Sequence, residues 1–341
     1  MTALTLKDLM AKVADARTLG QSEIETALNL LMSEAAAPTQ MAAFLMALRV
    51  RGETVDEITG AAQTLRNKMT PVSAPPGAVD IVGTGGDSHG TYNVSTCAAF
   101  VAAGAGLQVA KHGNRSVSSK SGASDVLAAL GVKLDVSPET VARAIKDIGV
   151  GFMWAPMHHP AMKHWAPIRA DLGVRTLFNL LGPLCNPANV KRQVIGVFDK
   201  KWVAPIADVL TKLGSEHAWV VHGSDGMDEL TTTGPSFVAE LKDGNIRTFE
   251  ISPEEAGLNL VTLSDLKGGD ATVNAAAIRD VLDGTPGPFR DIVVWNACAA
   301  LIVGGKVASI GEGVAQAQAS IDSGAAKASL AALVNLTNEG S

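Results

Sequence analysis

The segment Pro71-Val72-Ser73-Ala74-Pro75-Pro76 divides the chain into two stretches that follow different rules. Proline fixes φ and lacks an amide hydrogen, so neither a helix nor a central strand runs through such a segment. It reads as a hinge or linker. Before it, the apolar spacing is helical only. After it, short apolar runs alternate with helical patterns. Such alternation predicts a largely parallel sheet flanked by helices. The expected fold class is therefore α/β: a small all-helical N-terminal domain and a larger α/β domain with a mainly parallel central sheet.

In the first stretch, Ser22 with Glu25 has capping-box spacing ahead of Leu28, Leu30 and Leu31. Thr39 opens a second run over 41–50, and Thr54 with Glu57 opens a third through Ile58, Ala62 and Leu65. Helices this short cannot each hide an apolar face, so a bundle is expected, with spare apolar surface for a partner subunit. In the second stretch, strands are expected at 79–82, 107–110, 150–153, 193–198 and 217–221. A hairpin is expected of 237–241 with 246–251, turning at Asp243-Gly244. Helices are expected at 95–103, 121–130, 137–148, 157–181, 272–282 and 292–303, followed by an Ala-rich one. Ser137-Pro138 is an N-cap with proline at the first helical position. The stretch 157–181 interrupts the strand pattern and is expected to cross back to the bundle.

The 341 residues are 47 % hydrophobic and 18 % charged, enough to bury a large core without disulfides or a structural metal. Cys97, Cys185 and Cys298 fit neither a disulfide framework nor a zinc spacing and suit a reducing compartment. A net charge of −6 lacks the basic footprint of a general nucleic-acid binder, yet leaves room for a small anionic ligand held by local groups. Neither a membrane span nor a signal peptide is expected, and the location expected is cytoplasmic.

Gly83-Thr84-Gly85-Gly86-Asp87 sits between a predicted strand and a helix. Such glycines let backbone N–H groups approach an anion, although a plain tight turn would also use them. The dinucleotide spacing G-x-G-x-x-G is absent. Thr91, Asn93, Ser95 and Thr96 stand where the next helix begins, as N-caps or as further donors to the same anion. Lys111-His112-Gly113-Asn114-Arg115-Ser116-Val117-Ser118-Ser119 follows the next strand and mixes cations, hydroxyls and glycine. A charged surface loop has that composition, and so does a phosphate site. In α/β sheets ligands bind at the carboxyl ends of the strands, where both loops are placed. With two such loops, Asp228-Glu229 reads as hard oxygen ligands for Mg2+ rather than as solvated carboxylates. His158, His159 and His164 lack a zinc motif. Arg169 suits a carboxylate, or an ion pair with Asp171.

Gly83 to Asp87, Asn93-Val94-Ser95-Thr96, Lys111 to Ser119, Asp228-Glu229 and the segment Arg169 to Pro187 together resemble the anthranilate phosphoribosyltransferase family, nearly end to end and in its order. The resemblance implies a nucleoside phosphorylase-like architecture with the active site at the hinge. Residues 1–70 plus roughly 168–190 would form a helical dimerisation domain; 75–167 and 191–341 would form the α/β domain. The implied reaction joins anthranilate to 5-phosphoribosyl 1-diphosphate in tryptophan biosynthesis. The donor would be held by Gly83, Gly86, Asp87, Thr91, Asn93, Val94, Ser95, Thr96, the loop Lys111 to Ser119 and Ala123. Anthranilate would meet Gly83, Asn114 and Arg169, and Ser95, Asp228 and Glu229 would hold magnesium, expected at two ions per monomer. No dedicated nucleophile is expected; Arg169, Asn114 and Lys111 would position the transition state, and His112 reads as structural or as an aid to proton removal. The expected partners are the two small-molecule substrates and a second copy of the chain, with neither nucleic acid nor membrane. The alternatives are a pyrimidine nucleoside phosphorylase and a non-catalytic nucleic-acid-binding relative.

Overall fold

The structure is a computed structural model that describes residues 4–33, 36–86, 89–115 and 120–339. The chain opens with α1 (Leu6–Ala14), α2 (Gln21–Leu31), α3 (Pro38–Arg51) and α4 (Val55–Arg66). It continues through β1 (Val79–Gly83), α5 (Val94–Gly104), β2 (Val109–Gly113), α6 (Ala123–Ala129), α7 (Pro138–Ile148) and β3 (Val150–Trp154). Three helices follow: α8 (Ala155–His158), α9 (Trp165–Leu172) and α10 (Leu177–Leu184). Then come β4 (Arg192–Gly196), α11 (Val203–Lys212), β5 (His217–Gly223), β6 (Ser236–Lys242) and β7 (Asn245–Ile251). The last helices are α12 (Ala271–Leu282), α13 (Pro288–Val303), α14 (Ile310–Asp322) and α15 (Ala325–Asn338).

The sheet has the order β3-β2-β1-β4-β5-β6-β7. The first five of these strands are mutually parallel, and β6 and β7 run antiparallel. The β6–β7 turn is made by Asp243 and Gly244 at φ +50° and +78°, the signs a two-residue hairpin needs. Alternation along the strands divides the core. Val194, Trp219 and Val221 face α5 and α13, whereas Ile195, Ala218 and Val220 face α11 and the bundle helices. The bundle and one face of the sheet thus share one apolar cluster. Trp165 of α9 and Leu177, Phe178 and Leu181 of α10 are buried in that same cluster.

Local chemistry moves several expected boundaries. The cap of α2 is Gly20 with Glu23, not Ser22 with Glu25: Glu23 accepts from Gly20 N at 2.8 Å and pairs with Lys12 at 2.7 Å. The helix expected from Thr39 begins at Pro38. The expected helix over 157–181 is broken, since Pro160 opens a 3-10 turn and Gly173 ends α9 at φ +61°. β2 begins at Val109, not Leu107, because Leu107 N bonds Ala102 O to close α5 after Gly106 at φ +87°. The Ala-rich tail is two helices, α14 and α15, separated at Gly324. The Thr54–Glu57 and Ser137–Pro138 signals give the expected caps.

Glu57 is fully buried and organises the bundle. Its carboxylate accepts from Leu19 N at 2.8 Å, from Thr54 N at 2.9 Å and from Arg51. Truncation would remove the acceptor of two amides and the carboxylate partner of the half-buried Arg51. Glu57→Ala is expected to cost about 3 kcal/mol, read as a lower denaturation midpoint. Glu25→Ala, at a half-buried position without that network, is expected to stay within about 0.5 kcal/mol of the parent. Equal effects would contradict the assignment.

Candidate functional site

In the order β2-β1-β4-β5, the connection after β1 runs to β2 on one side and that after β4 to β5 on the other, which opens a crevice at the carboxyl ends of β1 and β4. Three loops meet there. The first follows β1. Gly85 and Gly86 take φ +66° and +76°, where a side chain would be strained. Thr84 N donates to Gly196 O at 2.9 Å, and Thr84 Oγ1 accepts from Phe198 N at 3.0 Å.

The second loop follows β5 and carries Asp228-Glu229. Asp225 shapes it by accepting from Met227 N at 3.1 Å and from the hydroxyls of Thr231 and Thr233 at 2.7 Å. Asn296 of α13 pins its far end, bonding Leu230 N at 3.0 Å and Leu230 O at 2.9 Å. The loop then passes directly over β4: a Cβ built on Gly196 would lie 1.5 Å from Asp228 O. Only glycine permits that crossing. It delivers Asp228 Oδ2 to Gly85 N at 2.6 Å and Glu229 Oε1 to Ser95 N, at the start of α5, at 3.3 Å.

The third is the carboxyl end of β2. The Lys111 ammonium is buried, donating to Ile81 O at 2.6 Å and to Ser95 Oγ at 3.3 Å. Burial pushes its pKa down, against the attraction of Asp80 and Glu229. Asp80 is buried on β1 and pushed up to about 6 by loss of water, against the pull of Lys111. Its oxygens accept from His112 N at 3.1 Å and Asn186 Nδ2 at 2.7 Å. His112 Nε2 lies 3.2 Å from His159 Nε2. Burial holds both rings neutral, pushing His112 well below the ordinary range and His159 to about 4.

The expected residues distribute as follows. Gly83, Gly86, Ser95, Lys111, Asp228 and Glu229 gather at the crevice through the contacts above and through Gly83, where a Cβ would lie 2.4 Å from Asp228 Oδ2. Asn93 accepts from Asn274 Nδ2 at 2.9 Å and donates to Ser121 O at 3.2 Å, so its side chain does not cap α5. Thr91 bridges Lys267. Val94 is buried in the core, and Thr96 Oγ1 is buried without a hydrogen-bond partner among the described residues. Gly113 and Ala123 are in close register, since a Cβ on Gly113 would lie 3.1 Å from that of Ala123. Asn114 and Arg115 are exposed; Asn114 O accepts from Ser124 N at 3.3 Å, and Arg115 lies 5.8 Å from the Trp154 ring. Asp87 and Ser116, Val117, Ser118 and Ser119 lie outside the described residues.

Arg169 is not joined to these loops by a hydrogen bond or ion pair among the described residues, nor does it pair with Asp171; its guanidinium lies 5.6 Å from the Phe178 ring. His164 stands apart and exposed, whereas His158 and His159 join His112. Sequence reasoning missed Asp80, Asn186, Asn274 and Arg175, whose guanidinium donates to the carbonyl of Gly86. Only Asp80 carried a readable signal, a lone carboxylate inside the apolar strand Val79 to Val82.

Residues 7–69 match the profile described as "Glycosyl transferase family, helical bundle domain", and 75–327 match "Glycosyl transferase family, a/b domain". An anthranilate phosphoribosyltransferase of Rhodopseudomonas palustris (strain TIE-1) is 62 % identical over 96 % of this chain and 97 % of its own. The crystal structure of anthranilate phosphoribosyltransferase from Thermus thermophilus superposes with a TM-score of 0.91 at 44 % identity, covering 97 % of this chain and 99 % of its own. The enzyme from Saccharomyces cerevisiae in complex with PRPP and Mg gives 0.90 at 30 % identity, covering 98 % of each chain.

The histidine pair makes stability depend on pH in a defined direction. The folded pKa of His159, about 4, is below its ordinary value of 6.5, so the unfolded chain takes the proton first. This contribution is present in full above pH 6.5 and is lost as pH falls toward 4. Asp80 opposes it between 6 and 3.8, because its raised pKa makes the folded state the better proton binder there. His159→Gln is therefore expected to lose less stability than the parent between about pH 7 and pH 4.5 in thermal melts. Parallel curves for the two proteins would refute the buried neutral pair.

Proposed function

The chain belongs to the anthranilate phosphoribosyltransferase family, and from that premise we propose how its own residues divide the work of the reaction. The enzyme transfers the 5-phosphoribosyl group of 5-phosphoribosyl 1-diphosphate to the amine of anthranilate, releasing diphosphate. One observation supports placing that chemistry at the β1–β4 crevice: a glycine turn, a helix N-terminus, a buried ammonium and an acid pair meet there through direct hydrogen bonds. The acid pair favours the transferase over a phosphorylase, and the retained loops favour it over a nucleic-acid binder.

The residues fit magnesium. Asp228 and Glu229 bring hard oxygens beside the hydroxyl-bearing Ser95, the donor set that Mg2+ prefers over nitrogen or sulfur. These three residues would hold it, with two ions per monomer. When bound, magnesium offsets the negative charge of the departing diphosphate.

The chain's own groups act on either side of C1. The donor's phosphates lie against Gly83 to Gly86, the first turn of α5 and the loop from Lys111 to Ser119. As the bond from C1 to diphosphate lengthens, the fixed ammonium of Lys111 and the oriented amides stabilise the charge without reorganising. The arylamine is neutral at pH 7, so it needs positioning more than deprotonation. Arg169 takes its carboxylate and Asn114 its polar edge, which turns a bimolecular attack into one between placed partners. His112 commits its Nε2 to His159, and we assign it a structural role.

The helical domain takes in 1–70 and roughly 168–190, because α9 and α10 are buried with α3 and α4. Leu30 of α2 and Val50 of α3, exposed at 37 % and 80 %, suit a homodimer contact through that domain. A cytoplasmic location fits the three buried free cysteines.

Loss of anthranilate fluorescence in the presence of donor and magnesium reads the reaction. Arg169→Ala is expected to raise the KM for anthranilate by about tenfold or more and to leave that for the donor nearly unchanged. Equal changes would remove Arg169 from the anthranilate site. Replacing Asp228 and Glu229 together by alanine is expected to abolish magnesium-dependent turnover; an unaltered magnesium response would refute the metal assignment.

A further inference from the structure

Arg175 lies between α9 and α10, on the same connection that follows Arg169. Its guanidinium donates a hydrogen bond to the carbonyl of Gly86 and lies 4.5 Å from the centroid of the Phe198 ring. Phe198 in turn donates its amide to Thr84 Oγ1 at 3.0 Å. The three residues of the turn are therefore each held by a different part of the chain. Thr84 is held by the segment after β4, Gly85 by Asp228 at 2.6 Å, and Gly86 by Arg175.

Those outside holds matter because the glycines of the turn are intrinsically mobile. Gly85 and Gly86 both adopt positive φ, and glycine visits many other conformations at little energetic cost. A phosphate-binding turn gains from having its amides fixed before the anion arrives. Arginine suits the task, since one planar group can stack on a ring and donate along its edge at once. No carboxylate pairs with Arg175 among the described residues, so its charge also favours an anion at the turn.

We propose that Arg175 is a positioning residue for the phosphoribosyl donor, acting through the Gly86 carbonyl and the Phe198 ring rather than on the donor itself. The proposal rests on the reading of Gly83 to Gly86 as the donor's phosphate turn. It also links the two substrates. The α9–α10 segment carries the anthranilate-binding Arg169 at one end and the clamp on the donor's turn at the other.

Isothermal titration calorimetry with 5-phosphoribosyl 1-diphosphate and Mg2+ tests this, beside anthranilate titration by fluorescence and a thermal melt. Arg175→Ala is expected to weaken donor binding about tenfold, with anthranilate binding and melting temperature held. Arg175→Lys should recover part of the loss, because an ammonium donates but does not stack as a plane. Adding Phe198→Leu to Arg175→Ala should produce little further loss, since the two act as one unit. Donor affinity unchanged in Arg175→Ala, or a loss matched by equal losses in anthranilate affinity and melting temperature, would overturn the proposal. Gly85→Val separates the two layers. If it abolishes donor binding while Arg175→Ala has no effect, the clamp fails and the turn assignment stands. If neither changes donor binding, the turn assignment itself fails.

Discussion

Lys111 places an ammonium group where water is excluded, 2.6 Å from the carbonyl of Ile81 and 3.3 Å from the hydroxyl of Ser95. A buried cation is tolerable only when its protons are used and opposite charge is near. Ile81 and Ser95 use its protons, and the opposite charge comes from distant parts of the chain: Asp80 on β1, and Glu229 on the loop after β5. The arrangement therefore fixes β1, β2, the start of α5 and the acid loop relative to one another. Asp80 carries the restraint further, through His112 and Asn186, to the segment that follows α10. Removing any one member leaves another charge or amide buried without its partner.

Around that centre the backbone is brought closer than side chains would allow. Gly196 lets the acid loop cross β4, and Gly83 lets the carboxylate of Asp228 lie against β1. The same crossing explains why the acidic pair reaches the glycine turn although 143 positions separate Gly85 from Asp228. In the structure the carboxylates rest on amide hydrogens of Gly85 and Ser95, the bonds that the proposed donor and metal sites would replace. The helical segment closes the other side. His158 and Thr70 form a reciprocal pair, at 2.8 and 3.0 Å, between α8 and the linker. Arg175 reaches from the α9–α10 connection to Gly86.

Much of this was legible in the sequence because it is local. The prolines at 71–76, the Thr54–Glu57 cap, Ser137–Pro138 and Asp243-Gly244 act within a few residues, and each gave the element expected. The loops rich in glycine, lysine and serine stood out because core packing does not require that composition. What escaped detection depends on long-range pairing. Asn186 meets Asp80, and Asn274 meets Asn93, only after the sheet has closed. The choice of Glu23 over Glu25 as the cap depends on Lys12, which only the docking of α1 supplies. Arg175 stands inside the segment Arg169 to Pro187, and nothing in its neighbours specifies Gly86, 89 positions away.

On the proposed assignment, the donor's phosphates enter at the turn Gly83 to Gly86 and displace the bond between Asp228 and Gly85. A crystal structure with 5-phosphoribosyl 1-diphosphate and Mg2+ tests this most directly. The expected result is diphosphate against the turn and the first turn of α5, metal on Asp228 and Glu229, and Asp228 Oδ2 withdrawn from the amide of Gly85. Diphosphate bound elsewhere, for example among Arg192, Lys242 and Lys306 at the opposite end of the sheet, with the Asp228–Gly85 bond intact, would contradict it.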